Sequence, residues 1–400
     1  MKAMAGITEP RGRGDRDRPV LRADGLVKHY YRRSRVSRVA HREMVRAAED
    51  VSLALYAGQV TALIGESGCG KSTVSRLLSL LEWPTAGTVA FKDEVIVSGK
   101  ASPLRRSRLL RAHAADVQLI FQDPFSSLNS SHTVGYHVER PLRIHRRKLG
   151  WNFDVDARVA DLLEQVSLTP GSSYAAKYPH ELSGGQRQRV AIARALACEP
   201  CVLLADEPVS MLDVSVRLGI LSLLDEVRRQ RNLAMLYITH DIASAGYFAD
   251  EAVVMYAGEL IESGPSPEVV CRPAHPYTQL LVRAAPDPDR ERSNPLGDVG
   301  EPPSLVSPPT GCRFHPRCPH AMEICRQQAP PKFDVSPSRW ARCWLYSNPV
   351  AVNDGALPAQ GAGPKGPAVG GLSSSVVHAL GAVGTGRRSS VPPKRGPKGG

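Results

Sequence analysis

The stretch Gly65-Glu66-Ser67-Gly68-Cys69-Gly70-Lys71-Ser72-Thr73 constrains this chain more than any other. An alternating apolar run at 59–64 leads into it, and residues 74–81 leave it with helical spacing. Glycines let successive backbone N–H groups turn towards one point, where phosphate oxygens can sit. The helix that follows adds its own unpaired N–H groups and dipole, which also favour an anion. Lys71 is placed to reach β- and γ-phosphates, and the Ser72 hydroxyl to ligate Mg²⁺. A glycine turn with a chance lysine would leave the strand before it and the helix after it unexplained.

The 400 residues suffice for one large or two ordinary domains with real cores. No apolar run approaches the roughly 18 residues that would span a bilayer, and the polar N-terminus lacks the apolar segment of a secretory signal. The expected location is therefore a reducing compartment, where eight cysteines are not a disulfide framework. The net charge of +12 is concentrated in basic runs at 11–46, 105–111, 140–148 and 387–398. Few aromatics interleave with them, so they read as solvated surface rather than a nucleic-acid platform.

In order, residues 1–18 read as a disordered basic tail. Strands are expected at 21–31, 51–56 and 59–64, with a basic loop or hairpin at 32–46. Two short strands follow within 86–97, then a helix at 104–115 and a buried strand at 117–121. From 125 to about 186 the pattern is helical without strands, an insertion into an α/β core. A helix at 186–197, a strand at 201–205, a helix at 214–230, a strand at 234–239 and a helix at 242–248 then alternate, which implies a largely parallel sheet. The last strands are expected within 251–261. An α/β domain carrying the phosphate loop would thus span 19–285. A proline-rich link and a small cysteine segment fill 286–347, and 348–400 reads as a disordered tail.

The apolar strand at 201–205 ends in Asp206-Glu207. A phosphate loop needs a carboxylate to share its Mg²⁺, which suits Asp206, and Glu207 is placed to polarise an attacking water. Ser183-Gly184-Gly185-Gln186 is a second glycine turn at a helix start, able to hold phosphate by the same physics.

With these residues the chain resembles the ATP-binding cassette (ABC) ATPases. Leu182-Ser183-Gly184-Gly185-Gln186 matches their signature letter for letter. The resemblance implies an α/β P-loop fold with a mostly parallel sheet, an antiparallel β subdomain and a helical insertion. It implies that two subunits pair head to tail, the signature turn of one capping the γ-phosphate of ATP held by the other. Gln122 then matches a glutamine that senses Mg²⁺ and water, Asp206 the Mg²⁺ carboxylate and Glu207 the catalytic glutamate. His240 matches the histidine at the γ-phosphate. Tyr30 is the candidate for stacking on adenine, with Tyr31 the alternative. Met211 stands where the family usually carries alanine.

Three stretches resemble the oligopeptide/dipeptide importer branch, which includes nickel and oligosaccharide importers. They are Gln122-Asp123-Pro124-Phe125-Ser126-Ser127-Leu128-Asn129, Tyr178-Pro179-His180-Glu181 and His275-Pro276-Tyr277-Thr278. The wording of 208–213 also resembles the oligosaccharide members. The branch implies a second ATPase subunit, two transmembrane permeases and, indirectly, a solute-binding protein. It also implies a peripheral place on the cytoplasmic face of the membrane. A soluble or an exporter-type ABC ATPase is the alternative. Cys312, Cys318, Cys325 and Cys343 are separated by five, six and seventeen residues, a poor match to zinc knuckles. Some C-terminal segments of this branch hold a [4Fe–4S] cluster, and the resemblance implies these four thiolates as its ligands. Free thiols are the alternative, and His315 and His320 read as surface residues.

Overall fold

The computed structural model describes residues 18–33, 42–98, 103–150, 153–285 and 300–347. Apart from Arg18, the tails expected at 1–18 and 348–400 lie outside the described residues. So does the start of the proline-rich link, at 286–299.

Strand β1 (Leu21–Arg33) pairs antiparallel with β2 (Arg42–Leu55), from Leu21 opposite Leu55 to Arg33 opposite Arg42. Of the basic stretch expected as a loop or hairpin at 32–46, the described ends, 32–33 and 42–46, are thus paired strand, and 34–41 lie outside the described residues. The ends carry charged side chains on both faces, which erases the two-residue alternation. Cross-strand pairs compensate: Arg32 meets Glu43 at 3.0 Å and His29 meets Glu49 at 2.6 Å. The wholly buried β3 (Val60–Ile64) runs into α1 (Lys71–Leu78). Strands β4 (Ala86–Phe91) and β5 (Glu94–Ser98) complete an antiparallel sheet of order β2-β1-β4-β5. Helix α2 (Pro103–Asp116) then leads to β6 (Val117–Ile120).

The next described elements are helical: α3 (Pro124–Ser127), α4 (Val134–Ile144), α5 (Arg146–Leu149), α6 (Val155–Gln165), α7 (Gly171–Ala176) and α8 (Gly184–Leu196). Thr133 caps α4 by accepting from the Tyr136 N–H, and Asp154 caps α6 by accepting from Asp156 and Ala157. Lys148 ties this helical layer to the sheet. Its Nζ donates to the carbonyls of Ala115 (2.7 Å), Cys198 (3.1 Å) and Glu199 (3.0 Å), where α2 and α8 end with unpaired carbonyls.

The chain returns through β7 (Val202–Asp206), α9 (Val214–Arg231), β8 (Ala234–Thr239), α10 (Ile242–Phe248), β9 (Glu251–Tyr256) and β10 (Glu259–Pro265). Helices α11 (Ser266–Cys271), α12 (Pro276–Ala284) and α13 (Glu323–Gln327) follow, then β11 (Phe333–Ser336) and β12 (Arg339–Ala341). The second sheet has the order β11-β12-β10-β9-β3-β8-β7-β6. Strands β9, β3, β8, β7 and β6 are parallel, while β10, β12 and β11 add on antiparallel. Expected as the last strands, β9 and β10 are followed by two more from the cysteine segment. Those two are too short to show a period in sequence. One apolar cluster joins Leu21 and Val89 of the small sheet, Leu77 and Leu78 of α1, and Leu204 and Leu236 of the large sheet.

Candidate functional site

Parallel register brings the ends of four strands to one edge. Ile64 lies beside Thr239, Asp206 beside Ile238, and Ile120 beside Ala205. The turns that leave these strands carry the phosphate loop, Gln122, Glu207 and His240. An open parallel sheet binds ligands at this carboxyl edge.

Only glycine fits at two points of the loop. A Cβ on Gly65 would lie 2.3 Å from the Met255 carbonyl oxygen, and one on Gly70 would lie 2.2 Å from that of Ala47. Gly70 also takes φ 114° as the N-cap of α1. Lys71 is 5% exposed and donates to the carbonyls of Gly65 (2.7 Å) and Glu66 (3.0 Å). Its ammonium is thus stored inside the loop where a phosphate would sit. Cys69 is buried among the same residues, and burial pushes its thiol upward.

The Asp206 carboxylate is buried, accepting from Ser72 Oγ at 3.2 Å and Ser75 Oγ at 3.4 Å. Burial pushes its pKa upward, and the neighbouring Glu207 adds to the rise. Two neutral hydroxyls are weak company for a buried carboxylate. The donor set of Ser72 and Asp206 fits Mg²⁺. Glu207 follows in a left-handed backbone conformation (φ 46°), its N–H held by the Ile238 carbonyl at 3.0 Å. This turn delivers its carboxylate between two partners: Gln122 Nε2 at 3.0 Å from one oxygen, His240 Nδ1 at 3.3 Å from the other.

Ser183 caps α8: its Oγ accepts from the Gln186 N–H, and Gln186 Oε1 accepts from the Ser183 N–H at 3.0 Å. Gln186 Nε2 also donates to the Tyr174 hydroxyl at 3.2 Å. A Cβ on Gly185 would press on Val216 at 2.6 Å, so α8 and α9 meet there. Among the described residues, no hydrogen bond joins this turn to the phosphate loop of its own chain. Tyr30 stands on β1 with Lys28 Nζ 4.9 Å from its ring centroid. Among the described residues no hydrogen bond or ring contact ties it to the loop.

The family model described as ABC transporter matches residues 48–210. A second, described as oligopeptide/dipeptide transporter, C-terminal region, matches residues 261–325. The oligopeptide transport ATP-binding protein AppF of Bacillus subtilis is 40% identical over 306 residues, 76% of this chain and 90% of its own. The oligopeptide transport ATP-binding protein OppF of Salmonella typhimurium is 42% identical over 289 residues, 72% of this chain and 84% of its own. The chain belongs to the ABC transporter ATP-binding proteins, in the oligopeptide/dipeptide branch. The fold agrees. The ATP-binding cassette MJ0796, in a dimeric post-hydrolysis state bound to ADP and Pi, matches with a TM-score of 0.52 and 27% identity, covering 62% of this chain and 98% of that one. The structure of cbiO1 from Clostridium perfringens matches with a TM-score of 0.51 and 27% identity, covering 63% and 90%.

In this ABC ATPase the C-terminal residues stand directly behind the phosphate loop. The Tyr277 hydroxyl accepts from the Glu66 N–H at 2.9 Å. Its ring packs against Tyr256 and Phe314, with centroids 4.5 and 5.5 Å away. His275 caps α12 by accepting from the Tyr277 N–H, and the fully buried Glu262 carboxylate accepts from the N–H groups of Ala274 and His275 at 2.8 Å each. The branch motif at 275–278 is thus a support for the loop, a role its wording did not reveal. Arg317 Nη1 and Nη2 each donate to a different oxygen of Glu66 at 2.9 Å. Ser75, Tyr174, Tyr277 and Arg317 are the site residues that sequence reading missed. Of these, only Tyr277 lay inside a motif that could have flagged it.

The four late cysteines lie in one segment, where the Cys312 N–H donates to the Cys325 carbonyl at 2.8 Å. Burial pushes Cys312 up to about 11 and Cys343 up to about 12, and raises Cys318; the nearby thiols add to each rise. Among the described residues, no group of three or more Cys, His, Asp or Glu side chains stands ready to hold a single metal ion. His315 Nδ1 lies 2.9 Å from the Cys312 carbonyl oxygen, and His320 is exposed.

Proposed function

We propose that this chain is the ATP-hydrolysing motor subunit of a membrane importer for oligopeptides or related solutes. The observation that carries the hydrolytic part is Glu207, held between Gln122 and His240 one residue beyond Asp206. Lys71 turns from the loop carbonyls to the β- and γ-phosphates. Glu207 polarises the attacking water, Gln122 orients it, and His240 contacts the γ-phosphate. Ser72, Asp206 and Gln122 would hold Mg²⁺, which would supply charge neutralisation at the phosphates. Residues 65–73 cradle one ATP, and Tyr30 stacks on its adenine.

Ser183, Gly184, Gly185 and Gln186 do not serve the phosphate loop of their own chain; they cap the γ-phosphate held by a partner ATPase paired head to tail. The dimeric state of the MJ0796 cassette supports this reading. ATP closes the pair and hydrolysis reopens it.

Two permeases dock on the helical layer, and a solute-binding protein delivers cargo to them. A groove of about 390 Å³ there is lined by Phe121, Pro141, Ile144 and His145, with Phe121 and Ile144 exposed. No described helix is long and apolar enough to cross a membrane. The ATP-binding roles of AppF and OppF in oligopeptide transport support assigning the chain to the cytoplasmic face as a peripheral subunit. A pull-down from native membranes in mild detergent tests the assignment. It should recover two multi-span permeases, a second ATPase and a solute-binding protein. Ribosomal or DNA-repair proteins without a permease would leave the ATPase standing and remove the importer.

The four cysteines are assigned to one [4Fe–4S] cluster. Cys312, Cys318, Cys325 and Cys343 would supply the four thiolates that such a cluster takes. Thiols with raised pKa values stay protonated at neutral pH unless a metal displaces the proton. Purification without oxygen should yield iron and acid-labile sulfide; absence of both would remove this assignment.

A further inference from the structure

Glu66 presents a chemical problem. It is the second residue of a loop built to receive a polyanion, and its backbone N–H and carbonyl are part of that loop. A free carboxylate there repels phosphate, and in a half-buried setting that repulsion is only weakly screened. The neutralising charge comes from a residue 251 positions away, between Cys312 and Cys318. The Arg317 side chain is 8% exposed and that of Glu66 26%. The two meet as a planar fork on both carboxylate oxygens, a geometry lysine cannot reproduce. Arg317 also lies over the Tyr256 and Phe314 rings, 5.7 and 5.9 Å from their centroids, which fixes its direction.

We propose that Arg317 is a positioning residue for ATP: it neutralises Glu66, so that the phosphate loop holds an anion more tightly while the C-terminal cysteine segment is in place. This rests on the ATP-binding reading of the loop. It makes the segment an electrostatic part of the nucleotide site, so any change that displaces Arg317 lowers nucleotide affinity without touching the loop.

The test uses the full chain and titrates Mg-ATP against wild type, Arg317→Met, Arg317→Lys and Arg317→Met/Glu66→Gln, at low and high salt. Methionine keeps the stem that packs on the rings. The Met variant should bind ATP roughly five- to tenfold more weakly at low salt, with the deficit shrinking at high salt. The Lys variant keeps the charge but not the fork, and should recover part of the affinity. The double variant should return to within about twofold to threefold of wild type, because no carboxylate remains to be offset. A purely structural role for Arg317 predicts the reverse: Glu66→Gln would not rescue, and salt would not matter. If Arg317→Met does not fold, Arg317→Gln takes its place in the same comparison. Wild-type affinity in the single variant, or no rescue in the double, overturns the proposal while leaving ATP binding intact. A wild-type chain that binds no ATP overturns the loop reading and this proposal together.

Discussion

Gln122 Nε2 donates to Glu207 Oε2 across 3.0 Å, joining the turn after β6 to the turn after β7. The helical layer leaves the sheet immediately after Gln122, at α3. Any movement of that layer is therefore felt at the carboxylate assigned to activate water, through one side chain.

Glu207→Gln should separate binding from hydrolysis. The amide keeps the volume and can still meet Gln122, but it cannot accept a proton from water. ATP affinity should stay within a few-fold while turnover falls roughly 10²- to 10⁴-fold. Steady-state ATPase with an ATP-binding isotherm checks both halves. A variant turning over at the wild-type rate would move the water-activating role to another residue.

Two glycines of one loop should respond differently to the same methyl group. Gly65→Ala drives a Cβ to 2.3 Å from the Met255 carbonyl oxygen, so backbone must shift. Gly68 has nothing within 4 Å and bears only the cost of a left-handed φ of 80°. Gly65→Ala should cost about 1–3 kcal/mol and most of the ATP affinity. Gly68→Ala should cost about 1 kcal/mol and keep the affinity within a few-fold. Equal losses in melting and nucleotide titration would mean that the loop is not held by the β9 backbone.

The buried His275 gives a pH dependence of known sign. Burial pulls its imidazole down to about 3. In the unfolded chain it titrates near about 6.5. Between those values the unfolded chain binds the extra proton, so stability is full above about pH 6.5 and ebbs as the pH falls towards 3. His275→Asn keeps an acceptor for the Tyr277 N–H and removes the titration. Denaturation at pH 7, 6 and 5 should show a shallower loss in the variant, by up to about 1.4 kcal/mol per pH unit. Parallel slopes would show that burial does not shift the titration of His275.

Arg339 reaches inward from β12 to the Glu262 carboxylate at 3.1 Å, with the side chains 4% and 0% exposed. Arg339→Ala leaves that carboxylate without its cation and should destabilise by about 3–5 kcal/mol. Limited proteolysis should then cut first within 300–347, because β12 loses its anchor before the parallel strands lose theirs. A loss below about 1 kcal/mol would show that the N–H groups of Ala274 and His275 satisfy Glu262 alone.

Much of the candidate nucleotide site was legible because its logic is local. A buried strand, a glycine loop and a helix follow one another at 59–81, and a second apolar strand ends in two acids at 206–207. What could not be read was long-range or hidden by charge. Arg317 and Glu66 lie 251 residues apart, and neither residue type marks the other. The ends of β1 and β2 carry charges on both faces, so loop and hairpin could not be told apart until they paired. Tyr277 was visible as part of a motif but not as a hydrogen-bond acceptor for the phosphate loop. That relation exists only once Glu262 has fixed the start of α12.

The edge strands β12 and β11 have a practical consequence for anyone shortening this protein. Ending the chain near residue 285 would strip β12 from β10. The main-chain bond from the Arg342 N–H to the Ile261 carbonyl would be lost with it, and the flank of β10 would lie open. An open edge bearing Leu260 and Ile261 is a template for strand addition by a neighbouring copy. A cassette trimmed to its nucleotide-binding half should therefore be recovered largely as aggregate, and a short β-hairpin with a charged outer strand fused in its place should restore soluble material.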